Sequence, residues 1–172
     1  MVLGNGPDCG HFLAAHPAVR KINFTGSVAT GRSVFLEGAK RLVDVSLELG
    51  GKSALIVFDD APALDAVVEQ ITFGMFSNCG QVCSATSRVL LQRSCSDAVV
   101  AALLERAKKL KVGSSLEDGV QMGPIVSRAQ FEKVTAFVER AKKDSNCKLL
   151  LGGGRPPSAP AGGFFFEPTI FE

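Results

Sequence analysis

The stretch Phe76-Ser-Asn-Cys-Gly-Gln-Val-Cys-Ser-Ala-Thr-Ser-Arg88 carries two cysteines, Cys79 and Cys83, four residues apart with a glycine between them. A cysteine on a connecting loop can present a thiolate to an electrophilic carbon, whereas one at a helix end more often packs as a small hydrophobe. Cys83 lies just past the glycine and just before an apolar run, which places it on such a loop. Cys79 lies before that glycine, where a helix is ending. A zinc site built on this pair lacks partners, because the two histidines, His11 and His16, sit in a distant segment. For the same reason no Cys/His dyad is at hand, and a protease-like mechanism would need one of those histidines to arrive from the N-terminal segment.

A second candidate is Glu48, inside "SLELGGKS". A carboxylate at the end of an otherwise apolar strand is open to desolvation, which raises its pKa toward what a general base needs. The competing readings are that Glu48 faces solvent as the strand leaves the sheet, or pairs with Lys52. Asp59 and Asp60 read as helix caps rather than metal ligands, and no metal is expected.

The third is the glycine-punctuated turn "NFTGSVATGRS", with Gly26 and Gly31 at a strand-to-helix junction. Gly26-x-x-x-x-Gly31-Arg32-Ser33 misses a phosphate-binding P-loop by one residue, arginine for lysine, and "LIVFDD" resembles the magnesium-holding strand of such proteins. Arginine's planar fork does not replace a compact ammonium on the phosphates. A plain turn, a dinucleotide pyrophosphate turn at a helix N-terminus and a P-loop all remain open at this point, in that order. Gly4, Gly6 and Gly10 in "GNGPDCG" follow no strong strand and read as a loop.

The elements that must position these groups alternate. "RKINFT" and "DVSLELG" read as strands flanking a helix over "VATGRSVFLEGAK". "SALIVFDD" is a strand, after which Asp60 and Pro62 predict a helix start, with Leu64, Val67, Val68, Ile71, Met75 and Phe76 on one face. "SRVLLQR" is a strand, "SDAVVAALLERAKKLKVG" an amphipathic helix stopped at Gly113, and Ser127 with Gln130 a capping box for another. "CKLLLGG" and "FFFEPTIF" read as strands on either side of a Gly/Pro-rich surface loop, "GGGRPPSAPAGG". Strand and helix in alternation imply an α/β fold with a largely parallel sheet covered by helices.

With 172 residues and 46% hydrophobic content, the chain has the material for a sizeable core. A net charge of +2 from 19 basic and 17 acidic residues, interspersed, gives no footprint for nucleic acid or a membrane surface. Five irregularly spaced cysteines argue against a disulfide framework and for an intracellular, cytoplasmic or organellar setting. No export or targeting signal is visible at "MVLGNGPDCGHF", and no stretch approaches the length of a membrane span.

Taken together and in order, "NFTGS" with Gly31, "LELGGKS", "GQVCSATSR" and "EPTIF" resemble the aldehyde dehydrogenase superfamily across essentially the whole chain. "GGKSALIVFDDAPALDAVV" and "GQVCSATSR" are most similar to the plant-type betaine and aminoaldehyde dehydrogenases. The resemblance implies a three-layer parallel-sheet fold, with residues 1–49 closing a Rossmann-type NAD(P)-binding domain and residues 50–172 forming most of a cysteine-bearing catalytic domain. It implies Cys83 as nucleophile, its own backbone N–H helping to hold the oxyanion, and Glu48 as the general base that activates water on a thioester. It places Gly26 and Ser27 beside the pyrophosphate of NAD or NADP, and Leu49 and Gly50 near the nicotinamide. The implied partner is a small aldehyde, betaine aldehyde or an aminoaldehyde included, and full-length relatives are expected to be homo-oligomers. In "EPTIF", Glu167 is expected to be structural.

The chain departs from that pattern at two positions. Cys79 stands where the motif normally has asparagine, and Ser77 where the aminoaldehyde-type enzymes usually carry an aromatic that offers a π-face to a cation. An upstream strand with an oxyanion asparagine and a ribose-contacting lysine, a downstream Glu-x-Phe-Gly-Pro segment and the oligomerisation strands are not matched. The chain is therefore expected to be a central fragment, with a catalytically silent assembly partner as the alternative to an enzyme and a P-loop nucleotidase last.

Overall fold

A computed structural model describes residues 1–160 and 162–172, so Ala161 of the Gly/Pro-rich loop lies outside the described residues. The chain divides into two compact units, Met1–Gly51 and Lys52–Glu172.

In the first unit, a helical turn over Gly6–Gly10 runs into the short α1 (His11–Ala15), followed by β1 (Lys21–Gly26), α2 (Val28–Arg41) and β2 (Asp44–Leu49). The segment around Gly6, expected to be a loop, is thus helical, with Pro7 in its first positions. The strands β1 and β2 pair in parallel from Lys21 opposite Asp44 to Gly26 opposite Leu49. Alternation sends Lys21, Asn23, Thr25, Asp44, Ser46 and Glu48 to an exposed face, while Ile22, Phe24, Val45, Leu47 and Leu49 are half-buried. The helix α2 packs on that apolar face, and its two buried glycines let it close. A Cβ on Gly31 would come 2.6 Å from Leu49 Cδ2, the mobile end of a leucine, whereas one on Gly38 would overlap Val45 Cγ2, which is stiff at χ1. Gly38→Ala is therefore expected to lower stability by about 1–3 kcal/mol despite alanine's better helix propensity. Gly31→Ala should cost less, and urea midpoints of the two variants check the order. Arg41, in the last turn of α2, donates to the carbonyls of Ala14, His16 and Val19 and ties the N-terminal segment down.

The second unit contains β3 (Ala54–Val57), α3 (Leu64–Phe76), β4 (Arg88–Leu91), α4 (Arg93–Lys108), α5 (Arg128–Ala141), β5 (Leu149–Leu151) and β6 (Ile170–Phe171). The strands β3 and β4 are parallel; β5 and β6 pair antiparallel, which qualifies the expectation of parallel pairing for the last strands. Val57, Ile71, Phe76, Val99, Leu103, Ala107, Met122 and Ile170 form the main core. Ile125, Val138 and Phe166, with Phe131 and Phe164 against them, form a second. The helix α4 buries a Val99, Leu103 and Ala107 stripe, with Cys95 and Leu104 packed beside it against the same core, as the amphipathic pattern requires.

Several boundaries differ from the sequence reading. The helix α3 starts at Leu64 behind Ala63, with no side-chain cap, so Asp60 does not cap it. Asp59 serves a different helix: its Oδ2 accepts from Gln92 Nε2 at 2.7 Å and Ser94 Oγ at 2.6 Å, fastening the entry to α4, which begins three residues earlier than expected. That helix ends at Lys108, and Gly113 N donates instead to Met122 O beyond it. The last strand shrinks to Ile170–Phe171 because Pro168 cannot donate to a ladder, and Phe165 and Phe166 are buried as irregular chain. Ser127 does cap α5, its Oγ accepting from Gln130 N.

Candidate functional site

The cysteine loop begins where α3 gives way to a tight turn over Ser77–Gly80. Asn78, Cys79 and Gly80 follow one another with φ of 50°, 58° and 69°, all in the left-handed region. Glycine enters that region freely and asparagine with little strain; cysteine does so at a cost of about 1 kcal/mol. This gives a physical reason for the motif's asparagine at the position of Cys79. What holds Cys79 there is packing against both core clusters, and a bond from its Sγ to the Gly123 carbonyl at 3.1 Å. Burial pushes the Cys79 thiol up, outweighing an opposite influence from the backbone of Gly123.

Cys83 is in a different setting. Ala85 N donates to Val82 O, so Val82–Ala85 is a tight turn with Cys83 and Ser84 at its centre, and Cys83 is exposed. Thr86 N then returns to Gly74 O of α3 and leads the chain into β4. The residue that braces this loop, Gln81, was missed in the sequence. Its Oε1 accepts from Val126 N at 3.0 Å and its Nε2 donates to Asn78 O, while Asn78 Nδ2 donates to Gln81 O. The signal available was the amide itself: a glutamine between a turn glycine and a cysteine can brace both sides of a loop.

In the first unit, the parallel register brings Gly26 opposite Leu49 and Thr25 opposite Glu48. Gly26, Ser27, Glu48, Leu49 and Gly50 thus gather at the carboxyl ends of β1 and β2, the usual ligand end of an open parallel sheet. Ser27 Oγ accepts from Thr30 N and caps α2, whose N-terminal amides and dipole favour an anion. Glu48 is exposed, so the desolvation anticipated for a strand-end carboxylate is not found; its place on the polar face of the alternation explains this. The P-loop reading fails on length. Gly26 closes the strand, Val28 opens the helix, and Gly31 N already bonds Ser27 O, so no loop remains to wrap phosphates.

The first unit also holds a cleft of about 770 Å³, lined by Pro7, Gly10, Ile22, Phe24, Thr30 and Val34 among others, which reaches the helix cap through Thr30, whose N–H donates to Ser27 Oγ. Gly6 and Gly10 line it, and a Cβ on either would meet no atom within 4 Å, so their lack of a side chain leaves room rather than permitting packing. Largely apolar walls next to a helix N-terminus fit a flat base carrying a phosphate. Glu48 belongs to the first unit and Cys83 to the second. Among the described residues, no group of three histidine, cysteine or acidic side chains could hold a metal ion, and no helix is long and apolar enough to cross a membrane.

The aldehyde dehydrogenase family model matches residues 1–172. The chain belongs to the aldehyde dehydrogenase family. It is 45% identical over 170 residues to aminoaldehyde dehydrogenase 2 of Zea mays, covering 99% of this chain and 33% of that one. Betaine aldehyde dehydrogenase of Hordeum vulgare is 44% identical with the same coverage. Among solved structures, betaine aldehyde dehydrogenase from Staphylococcus aureus in complex with NAD+ superposes with a TM-score of 0.91 at 36% identity, covering 99% of this chain and 34% of that one. The chain thus spans about a third of the length of the curated relatives it matches, and over that third it has the aldehyde dehydrogenase fold.

Proposed function

We propose that this chain carries the nucleophile, the general base and part of the cofactor site of an NAD- or NADP-dependent dehydrogenase that oxidises a small aldehyde to a carboxylic acid. The observation that carries the reading is the contrast between the two loop cysteines, one exposed at the centre of a turn and one packed between two cores. Met1–Gly51 is the cofactor-binding part in this reading, and Lys52–Glu172 the cysteine-bearing part. Gly26 and Ser27 hold the pyrophosphate at the N-terminus of α2, the cleft takes the adenosine half, and Leu49 and Gly50 approach the nicotinamide.

In the reaction, the Cys83 thiolate adds to the aldehyde carbon, forming a C–S bond as the carbonyl electrons move onto oxygen. The backbone N–H of Cys83 helps to hold that oxyanion. Bound NAD or NADP supplies the hydride acceptor that takes the carbon to the thioester level. Glu48 then draws a proton from a water that adds to the thioester carbonyl, the C–S bond breaks, and the acid leaves with Cys83 restored as thiolate. The named relatives support betaine aldehyde and aminoaldehydes as the substrate class. Serine at position 77 has no π-face for their cationic end, so an uncharged small aldehyde fits this loop equally well.

The test is the rate at which each of the five cysteines is alkylated by a small electrophile, read by mass spectrometry against pH. Cys83 is expected to react well ahead of the others, with Cys79 slow because it is packed and its thiol is pushed up. Five cysteines reacting alike would leave the family membership standing and remove the proposed nucleophile.

A further inference from the structure

The cleft in the first unit has a polar wall to which the cofactor reading assigns no role. Along α2 it is lined at helical spacing by Ala29 and Thr30, then Ser33 and Val34, then Glu37, and His11 lines it from α1. The Glu37 side chain is only 18% exposed, and its Oε1 accepts from Lys40 Nζ at 2.6 Å. Its Oε2 has no hydrogen-bond partner among the described residues. The hydrogen bond from Lys40, helped by the charges of Lys40, His11 and Arg41, holds the Glu37 carboxyl below its usual range, so the free oxygen is that of an ionised acceptor. From the cap at Ser27 to Glu37 is about 15 Å along the helix axis at 1.5 Å per residue. The side chain leans back toward the N-terminus and shortens that span. The remainder is on the scale of a nucleoside monophosphate with its phosphate at the cap.

Resting on the cofactor reading above, we infer that Glu37 reads the base: Oε2 accepts from the 6-amino group of adenine and makes the cleft selective against a 6-oxo purine. The chemistry is one of donors and acceptors. Adenine presents N–H at position 6, which a carboxylate can take; hypoxanthine presents a carbonyl oxygen there, so two acceptors meet with no proton between them. Lys40 keeps the carboxylate charged and fixes its orientation through Oε1, leaving Oε2 for the base.

Isothermal titration of the chain with AMP and with IMP as probes, for the wild type, Glu37→Ala and Glu37→Gln, tests this without any turnover. The wild type is expected to bind AMP at least about 10-fold more tightly than IMP. In Glu37→Ala that ratio should fall toward unity through weaker AMP binding. In Glu37→Gln it should fall through stronger IMP binding as well, because the amide can donate to the 6-oxo group. The glutamine variant keeps the side-chain volume, so a collapsed alanine variant does not decide the result. A wild-type ratio near unity, or a ratio unchanged in Glu37→Gln, overturns the inference while AMP binding leaves the cofactor reading intact. Failure of the wild type to bind either nucleotide overturns both.

Discussion

Cys83→Ala should reduce cofactor-free hydrolysis of an activated ester by the chain on the order of 10³-fold or more, leaving a rate near that of buffer. The reaction needs no hydride acceptor. A thiolate adds to the ester carbonyl, the alcohol departs, and the acyl group rests on sulfur until water removes it, so the nucleophile alone decides whether a first turnover occurs. Cys79→Ala is the matched control. Cys79 packs against both core clusters and donates to the Gly123 carbonyl, so its truncation should show chiefly as lost stability, about 1 kcal/mol. Its hydrolysis rate per folded molecule should stay within a few-fold of wild type. Release of a chromophoric alcohol measures the rates, and intact mass identifies the acylated cysteine. Undiminished hydrolysis in Cys83→Ala would move the chemistry elsewhere.

The separation of these two cysteines shows where the sequence was legible and where it was not. Placing Cys83 on a loop and Cys79 at a helix end required only the glycine between them and the apolar runs on either side, and the structure agrees. Glu48 at a strand end was equally readable, because the strand is periodic and two glycines follow it. Its exposure was not. Which face of a parallel strand carries the helix depends on where α2 packs, and that was settled by Gly31 and Gly38 lying over Leu49 and Val45. The failed helix cap at Asp60 has the same origin. An aspartate ahead of a proline looks like a cap locally, but Asp60 sits in a turn closed by Ala61 N on Phe58 O, and the helix starts only behind Ala63. The neighbouring Asp59 has its partner in Gln92, thirty-three residues on, which no local pattern announces. Gln81 escaped notice because its partner, Val126 N, is forty-five residues away. The polar wall of the cleft was hidden because it draws on His11, Ser33 and Glu37, which look like ordinary surface residues in sequence and share a surface only after α1 and α2 fold beside β1.

Glu48→Gln should separate the two halves of the reaction. If Glu48 is the base that activates water, its loss leaves the attack of Cys83 intact and slows the release of the acyl group by about 10²- to 10⁴-fold. The expected trace is a burst approaching one equivalent of alcohol, followed by a near halt, with the acyl adduct accumulating on Cys83 and visible by intact mass. Glutamine keeps the size and hydrogen-bonding shape of the side chain, and Glu48 stands on the exposed face opposite Thr25, so the pairing of β1 with β2 should be undisturbed. A purely structural role would predict something else: burst and steady phases slowing together, with no adduct accumulating. Because Glu48 is exposed, its use as a base rests on its position relative to the attacking water. The ratio of the two phases in Glu48→Gln therefore reads the role of Glu48 directly, with the thiol of Cys83 as the reporter.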